Sequence, residues 1–331
     1  MATSEGTAHV ERTSRGEQMR LRLQQLLAFA GLIVISAVFA FASPAFATFS
    51  NVTTILFSAV VIGTLALGTT FVIITAGIDL SIGTGMALCA VMAGTFITTM
   101  GLPWQIGVLL TLGVGALIGA VNGSLVAFFG LPPFIATLAM MLVAQGLALV
   151  ISGVAPIYFE LDSGYVKLST GTLVPNIPNA VLIYLFAAVI AAVTLGRTLL
   201  GRYTFAIGSN EAATSLSGIA VRRWKVAIYT FAGLFTGLAG ILISARLGSA
   251  QPATGQGYEL YAIAAVVIGG TSLAGGTGSI LGTVIGALII AVIQNGLQLL
   301  SIPQPWQLVI LGSVILLAVY ADMARKKTRG G

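Results

Sequence analysis

What constrains this chain most is a succession of apolar runs that no water-soluble fold can hide. They cover residues 26–43, 52–75, 81–100, 105–128, 133–152, 179–195, 226–245, 259–274, 279–299 and 306–321. Each is near the ~20 residues that cross the hydrocarbon of a bilayer, with 259–274 on the short side. Only 7% of the 331 residues are charged and 57% are hydrophobic, where a soluble domain carries roughly 25% charged residues. The chain is therefore integral to a membrane. The runs are too long and too uniformly apolar for the alternating strands of a barrel, so they read as helices. The expected fold class is an all-α integral membrane protein with about ten transmembrane helices. Ala45-Phe46-Ala47 has the small-x-small form of a cleavage site, but the run before it is as long as a full span, so it is read as a retained first helix.

The charges give the topology. Ten alternating crossings from an inner N-terminus leave thirteen of the fifteen basic residues inside, with only Lys167 and Arg246 outside. The inner clusters are Arg12 to Arg22, Arg197 to Lys225, and Arg325 to Arg329. This positive-inside bias puts both termini in the cytoplasm. The expected organisation is a polar cytoplasmic tail at 1–25, a membrane domain at 26–322 and a basic cytoplasmic tail at 323–331. Within the domain, 196–225 is a cytoplasmic loop standing in water, and 153–178 is the longest external loop. The external loop is either a plain connector or part of a docking surface for an outside partner.

The clusters flank membrane spans, so the net charge of +6 marks topology and not nucleic-acid binding. One cysteine, Cys89, and one histidine, His9, exclude an internal disulfide and argue against a metal site built by the protein. No Gly-Lys-Ser/Thr occurs, so the glycine-rich 269–276 stretch is not a nucleotide loop. Intramembrane catalysis lacks its usual residue pairs. A transporter driven by an ion gradient needs membrane acids, and Asp79 is the one reasonable candidate.

Within the 196–225 loop, Ser209 or Asn210 can cap a short helix with Glu211 in its first turn. Ala212 and Ala213 leave little bulk, so another protein can cover that helix closely, and Gly218 ends it. Asp79 is read first as a cap for the span starting near Ser81, with Gly77 permitting the bend, and second as a polar group near a pathway. Glu259 likewise reads as a cap. Asn122, Gln294, Asn295 and Gln298 are amides within spans; they serve either helix–helix hydrogen bonding or transient bonding to a polar solute. Gly269, Gly270, Gly275 and Gly276 suggest a broken or tightly packed helix beside a cavity. Gly77 to Gly85, which includes Gly83, echoes Gly270 to Gly278 at an offset of 193, a possible internal repeat. Gly115, Gly119 and Gly123, like Gly278, Gly282 and Gly286, recur every fourth residue. They form close-packing faces, either within the chain or at a seam between two copies.

The stretch GSNEAATSLSGI at 208–219 resembles the coupling loop of ATP-binding-cassette importer permeases, and its wording is similar to the monosaccharide (ribose-type) branch. ITAGIDLSIGTGMAL at 74–88 and the stretch 245–289 are similar to that branch too. The resemblance covers residues 50 to 322. One departure is that Gly218 follows Glu211 by seven residues, where many permeases have six. The resemblance implies a transport subunit and not an enzyme, in the inner (plasma) membrane of a bacterium. It implies no cofactor in this chain, with ATP and Mg on a partner ATPase. Asn210, Glu211, Ala212, Ala213 and Gly218 would couple to ATPase subunits. A second permease copy or a related permease would complete the pathway, and an external binding protein would deliver a ribose-like pentose or hexose. Polyols and branched-chain amino acids are the alternative cargoes.

Overall fold

The computed structural model describes residue 23 and residues 25–327, with the side chains of 318 and of 321 onward left aside. The expected N-terminal tail lies almost wholly outside the described residues, as do the side chains of the C-terminal basic tail. In chain order the helices are α1 (Gln25–Ala42), α2 (Phe49–Ile74), α3 (Ile82–Gly94, extended by a π turn at Thr95–Thr99), α4 (Trp104–Ala127) and α5 (Pro133–Ser152). They continue with α6 (Gly164–Thr170), α7 (Asn179–Arg197), α8 (Leu199–Ser209), α9 (Glu211–Leu216), α10 (Val221–Leu247), α11 (Tyr258–Ile268), α12 (Ile280–Leu299) and α13 (Gln304–Lys327).

Eight described helices are long and apolar enough to cross a membrane: α1 to α5, α7, α10 and α12. The other two expected spans are shorter as apolar helices, Tyr258–Ile268 and Gln304–Leu317. The 259–274 span stops at Ile268, because Gly269 and Gly270 follow and Gly270 adopts φ +92°, where a helix cannot continue.

Helix α2 occupies the centre. It is apolar on every side, which suits a helix surrounded by protein, and it is buried from Ala59 to Ile74. Its three central threonines return their hydroxyls to the preceding turn, Thr64 to Val60, Thr69 to Leu65 and Thr70 to Ala66, so each of these buried hydroxyls has a partner. Thr70 Oγ1 also lies 2.8 Å from Thr283 Oγ1 of α12. By contrast α5 turns large apolar side chains such as Leu142 and Val150 outward, as a helix facing lipid does.

The glycine faces resolve as contacts within the chain. A Cβ on Gly115 would overlap the backbone of Gly233 and Gly237, and one on Gly119 would overlap Tyr229 O. Gly123 meets Val226 in the same way, so α4 and α10 cross with their backbones touching. Gly282 and Gly286 serve the α12 contact with Gly269 and Ala265. Helix α1 joins the bundle through Phe39, whose ring fills the space a side chain at Gly296 would need.

The segment 153–178 packs back against the bundle. Ile157–Tyr158 (β1) pairs antiparallel with Ser249–Ala250 (β2). Helix α6 buries Tyr165, whose hydroxyl lies 2.7 Å from Ser244 Oγ.

Candidate coupling segment and polar sites

The stretch 196–225 folds as α8, α9 and the start of α10, and of the first two only α9 is exposed along most of its length. Helix α8 is amphipathic: Gly201, Thr204 and Ile207 are buried, and the Tyr203 ring meets Trp224 of α10 with centroids 4.6 Å apart. The expectation of a wholly solvated loop is thus corrected for α8, whose apolar face must be covered. Asn210 closes α8 and opens α9, accepting from Ala213 N at 2.9 Å through Oδ1. Thr214 Oγ1 donates to Ala206 O at 2.9 Å and clips the two helices together. Glu211 pairs with Lys225 Nζ at 2.7 Å. Gly218 sits at φ +82° just past the end of α9. Ala212 and Ala213 are exposed. So is Leu216, at 90%, a residue sequence reasoning passed over because one leucine in a polar loop carries no periodic signal.

Two breaks in the membrane core meet behind this segment. The first, residues 75–81, separates α2 from α3; the second, 269–279, separates α11 from α12. Gly276 N donates to Ile74 O at 2.9 Å. Gly275 and Gly276, at φ +83° and +75°, approach Gly208 and Ser209, the last residues of α8. A Cβ on Gly208 would overlap Ile74 O and lie 2.7 Å from Gly276 N. Ala76 is held at φ +60°, a region that costs an L residue about 1–2 kcal/mol. The two echoing stretches therefore fall at the two breaks, although 77–85 runs on into α3 and 270–278 does not reach α12.

The polar residues singled out from sequence separate into three places. Asp79, Ser81 and Asn122 come together in the core. Asp79 Oδ1 accepts from Ser81 N at 2.9 Å and from Ser81 Oγ at 2.6 Å, and Asn122 Nδ2 donates to Ser81 Oγ at 2.8 Å. Asp79, three residues before α3, is therefore not the N-cap that was expected; the N-cap is Ser81, whose amide Asp79 holds. Thr137 of α5 reaches the same break, its Oγ1 accepting from Leu80 N at 3.1 Å while donating to Pro133 O at 2.8 Å within α5. Asn122 Oδ1 and the Tyr229 hydroxyl beside Gly77 are buried without a partner among the described residues.

Asn295 lies elsewhere, in a reciprocal amide pair with Asn51: Asn51 Nδ2 donates at 2.9 Å and Asn295 Nδ2 returns the bond at 2.7 Å. This is the helix–helix role. Glu259 Oε1 accepts from Gly257 N at 3.2 Å at the start of α11, and Gly83 leaves room for its carboxylate and for Gly255. Gln294 and Gln298 face a third place, a cavity of about 690 Å³ between α2, α10, α11, α12 and α13. It also takes Gln304 and Gln307 of α13, Tyr258 and Tyr261 of α11, and Arg246. Sequence reasoning missed these because each lies beside a span end, where polar residues are ordinary. Among the described residues no acidic side chain lines it, and no group of three metal-ligating side chains occurs.

Residues 51–319 match the model of the branched-chain amino acid transport system / permease component family. The chain belongs to this family. It is 44% identical to the ribose import permease protein RbsC of Escherichia coli K12 over 88% of this chain and 91% of that one. Against RbsC of Bacillus subtilis the figures are 43%, 94% and 97%. The xylose transport system permease protein XylH of Escherichia coli K12 is 34% identical over 93% of each chain. No solved structure matched. The permease assignment agrees with a chain that carries helices enough to span a membrane and no nucleotide loop.

Proposed function

We propose that the chain is the membrane subunit of an ATP-driven importer that brings a ribose-like monosaccharide across the bacterial cytoplasmic membrane. One observation carries the cargo class: relatives named for ribose import align over nearly their whole length at 41–44% identity. The cavity chemistry supports it. Amides, phenols and one guanidinium suit hydroxyl groups, whereas an amino acid would need an acidic partner for its ammonium. A branched-chain amino acid remains the second cargo to test, because the family carries that description.

In this reading the chain crosses the membrane ten times with both termini inside. Thirteen inner basic residues against two outer ones favour that arrangement. Helix α11, with its 11 residues, reaches only ~17 Å, so the non-helical stretch after it lies at membrane depth inside protein. Separate ATPase subunits carry ATP and Mg and grip α9 through Ala212, Ala213 and Leu216. Because α8 touches both core breaks, movement of α9 reaches the membrane core without a flexible intermediary. ATP binding shifts the pathway only so far as the ATPases favour one conformation. A second permease copy or a related permease completes the pathway, and an external binding protein docks on the 153–178 side.

The test is uptake of radiolabelled D-ribose and L-leucine by the chain assembled with its ATPase and binding protein. Accumulation of ribose alone supports the reading; accumulation of leucine alone reassigns the cargo.

A further inference from the structure

We infer that the 690 Å³ cavity is a monosaccharide-binding site on the outward half of the permease, with Arg246 and the glutamines of α12 and α13 as its specificity-determining donors. The inference rests on the importer reading above and adds where the sugar sits.

The volume falls within the roughly 300–1,000 Å³ usual for small-molecule sites. Four glutamines from two helices line its wall, of which Gln307 already donates to Ile302 O at 2.8 Å. Each primary amide offers two donors and one acceptor, the pattern that vicinal hydroxyls complement. Tyr258 and Tyr261 add aromatic bodies with polar tips, and Ser58 on α2 also lines the cavity. Arg246 lies with its guanidinium 4.7 Å from the centroid of the Phe57 ring. Among the described residues it has no acidic partner within salt-bridge distance. The ring fixes the plane of the guanidinium and leaves its N–H groups for a ligand. Among the described residues no acidic side chain lines the site to meet a cation or an ammonium group, and its amides and phenols suit the hydroxyls of a polyhydroxy solute.

The site lies at the ends of α10 and α12 and the starts of α2, α11 and α13. In the ten-crossing topology four of these ends are external, and the start of α11 is carried inward, against Gly83 at the start of α3. The two core breaks lie at the opposite ends of α2, α11 and α12. A sugar entering here therefore sits above the junction that the coupling segment touches.

The chain supplies a clean reporter. Its single cysteine, Cys89, is fully buried, so Ser58→Cys introduces the one accessible thiol at a half-buried position with almost no change of volume. Ser58→Cys protein is assembled with the ATPase and the binding protein in vesicles, and its alkylation by a membrane-impermeant maleimide from the external side is timed. D-ribose is expected to slow the reaction at least about threefold, and L-leucine to leave it unchanged. In parallel, Gln298→Ala is expected to raise the KM for ribose uptake about three- to tenfold, the equivalent of losing one hydrogen bond of ~0.5–1.5 kcal/mol. An alkylation rate indifferent to ribose, or an unchanged KM in Gln298→Ala, overturns the site while the importer reading stands. Failure of the unsubstituted complex to take up ribose at all overturns the importer reading itself.

Discussion

Gly276 donates its backbone N–H to the carbonyl oxygen of Ile74 at 2.9 Å, joining the break after α11 to the end of α2, and Gly208 near the end of α8 lies against both. Three backbones meet where any side chain would keep them apart. A contact through rigid backbone transmits displacement better than one through adjustable side chains, because packed interiors respond in discrete steps.

The first expected outcome concerns that junction. Gly208→Ala must push apart Ile74 and Gly276, at a cost of about 1–3 kcal/mol as for other overpacked sites. Thermal unfolding in detergent should show a lower Tm than the parent, and ribose uptake should fall further than stability alone explains. Gly113→Ala is the control: a Cβ there meets nothing within 4 Å, and in a helix it should be neutral or stabilising by up to ~1 kcal/mol.

Glu211 separates coupling from stability. Its ion pair with Lys225 is half-exposed on the acidic side, so it contributes about 0–1 kcal/mol to the fold. Glu211→Lys should leave Tm almost unchanged yet reduce co-purification of the ATPase subunit and uptake together. Leu216→Ser should weaken the same association, since a fully buried leucine at an interface is worth ~1.5–3 kcal/mol.

Asp79 distinguishes a structural acid from a proton-carrying one. Asp79→Asn keeps the oxygen that accepts from Ser81, and rotation of the Asn122 amide presents its unpartnered Oδ1 to the new donor. Uptake should survive in Asp79→Asn and be lost in Asp79→Leu, which strands the Ser81 N–H and hydroxyl donors. A gradient-driven transporter using Asp79 would lose transport in both variants.

The Asn51–Asn295 pair gives a stability test away from the pathway. Asn295→Ala leaves a buried amide short of its partner, and should cost about 1–3 kcal/mol. Replacing both residues with leucine removes the unmet donors and acceptors, so its Tm should exceed that of the single variant.

Much of this was readable from residues alone because it rests on local chemistry. Asn210 before Glu211 and two alanines reads as a cap, and it caps. Glycines at 269–270 and 275–276 read as a broken or tightly packed helix beside a cavity; α11 stops at Ile268, and none of the four lines the 690 Å³ cavity. What stayed hidden depends on which faces meet. Nothing local in Gly208 distinguishes it from the many other glycines. Gln294, Asn295 and Gln298 are neighbours in sequence, yet Asn295 points to Asn51 while the other two border a cavity completed by Arg246 and α13. Helical periodicity places adjacent residues on different faces, but not which partner each face meets.

The central claim is that this chain forms the passage and draws its driving force from separate ATPase subunits. The most direct measurement is accumulation of labelled ribose in proteoliposomes holding the chain with or without its ATPase subunits and binding protein. Accumulation that requires ATP and the ATPase subunits is the expected result. Accumulation by the chain alone under a proton or sodium gradient would contradict it.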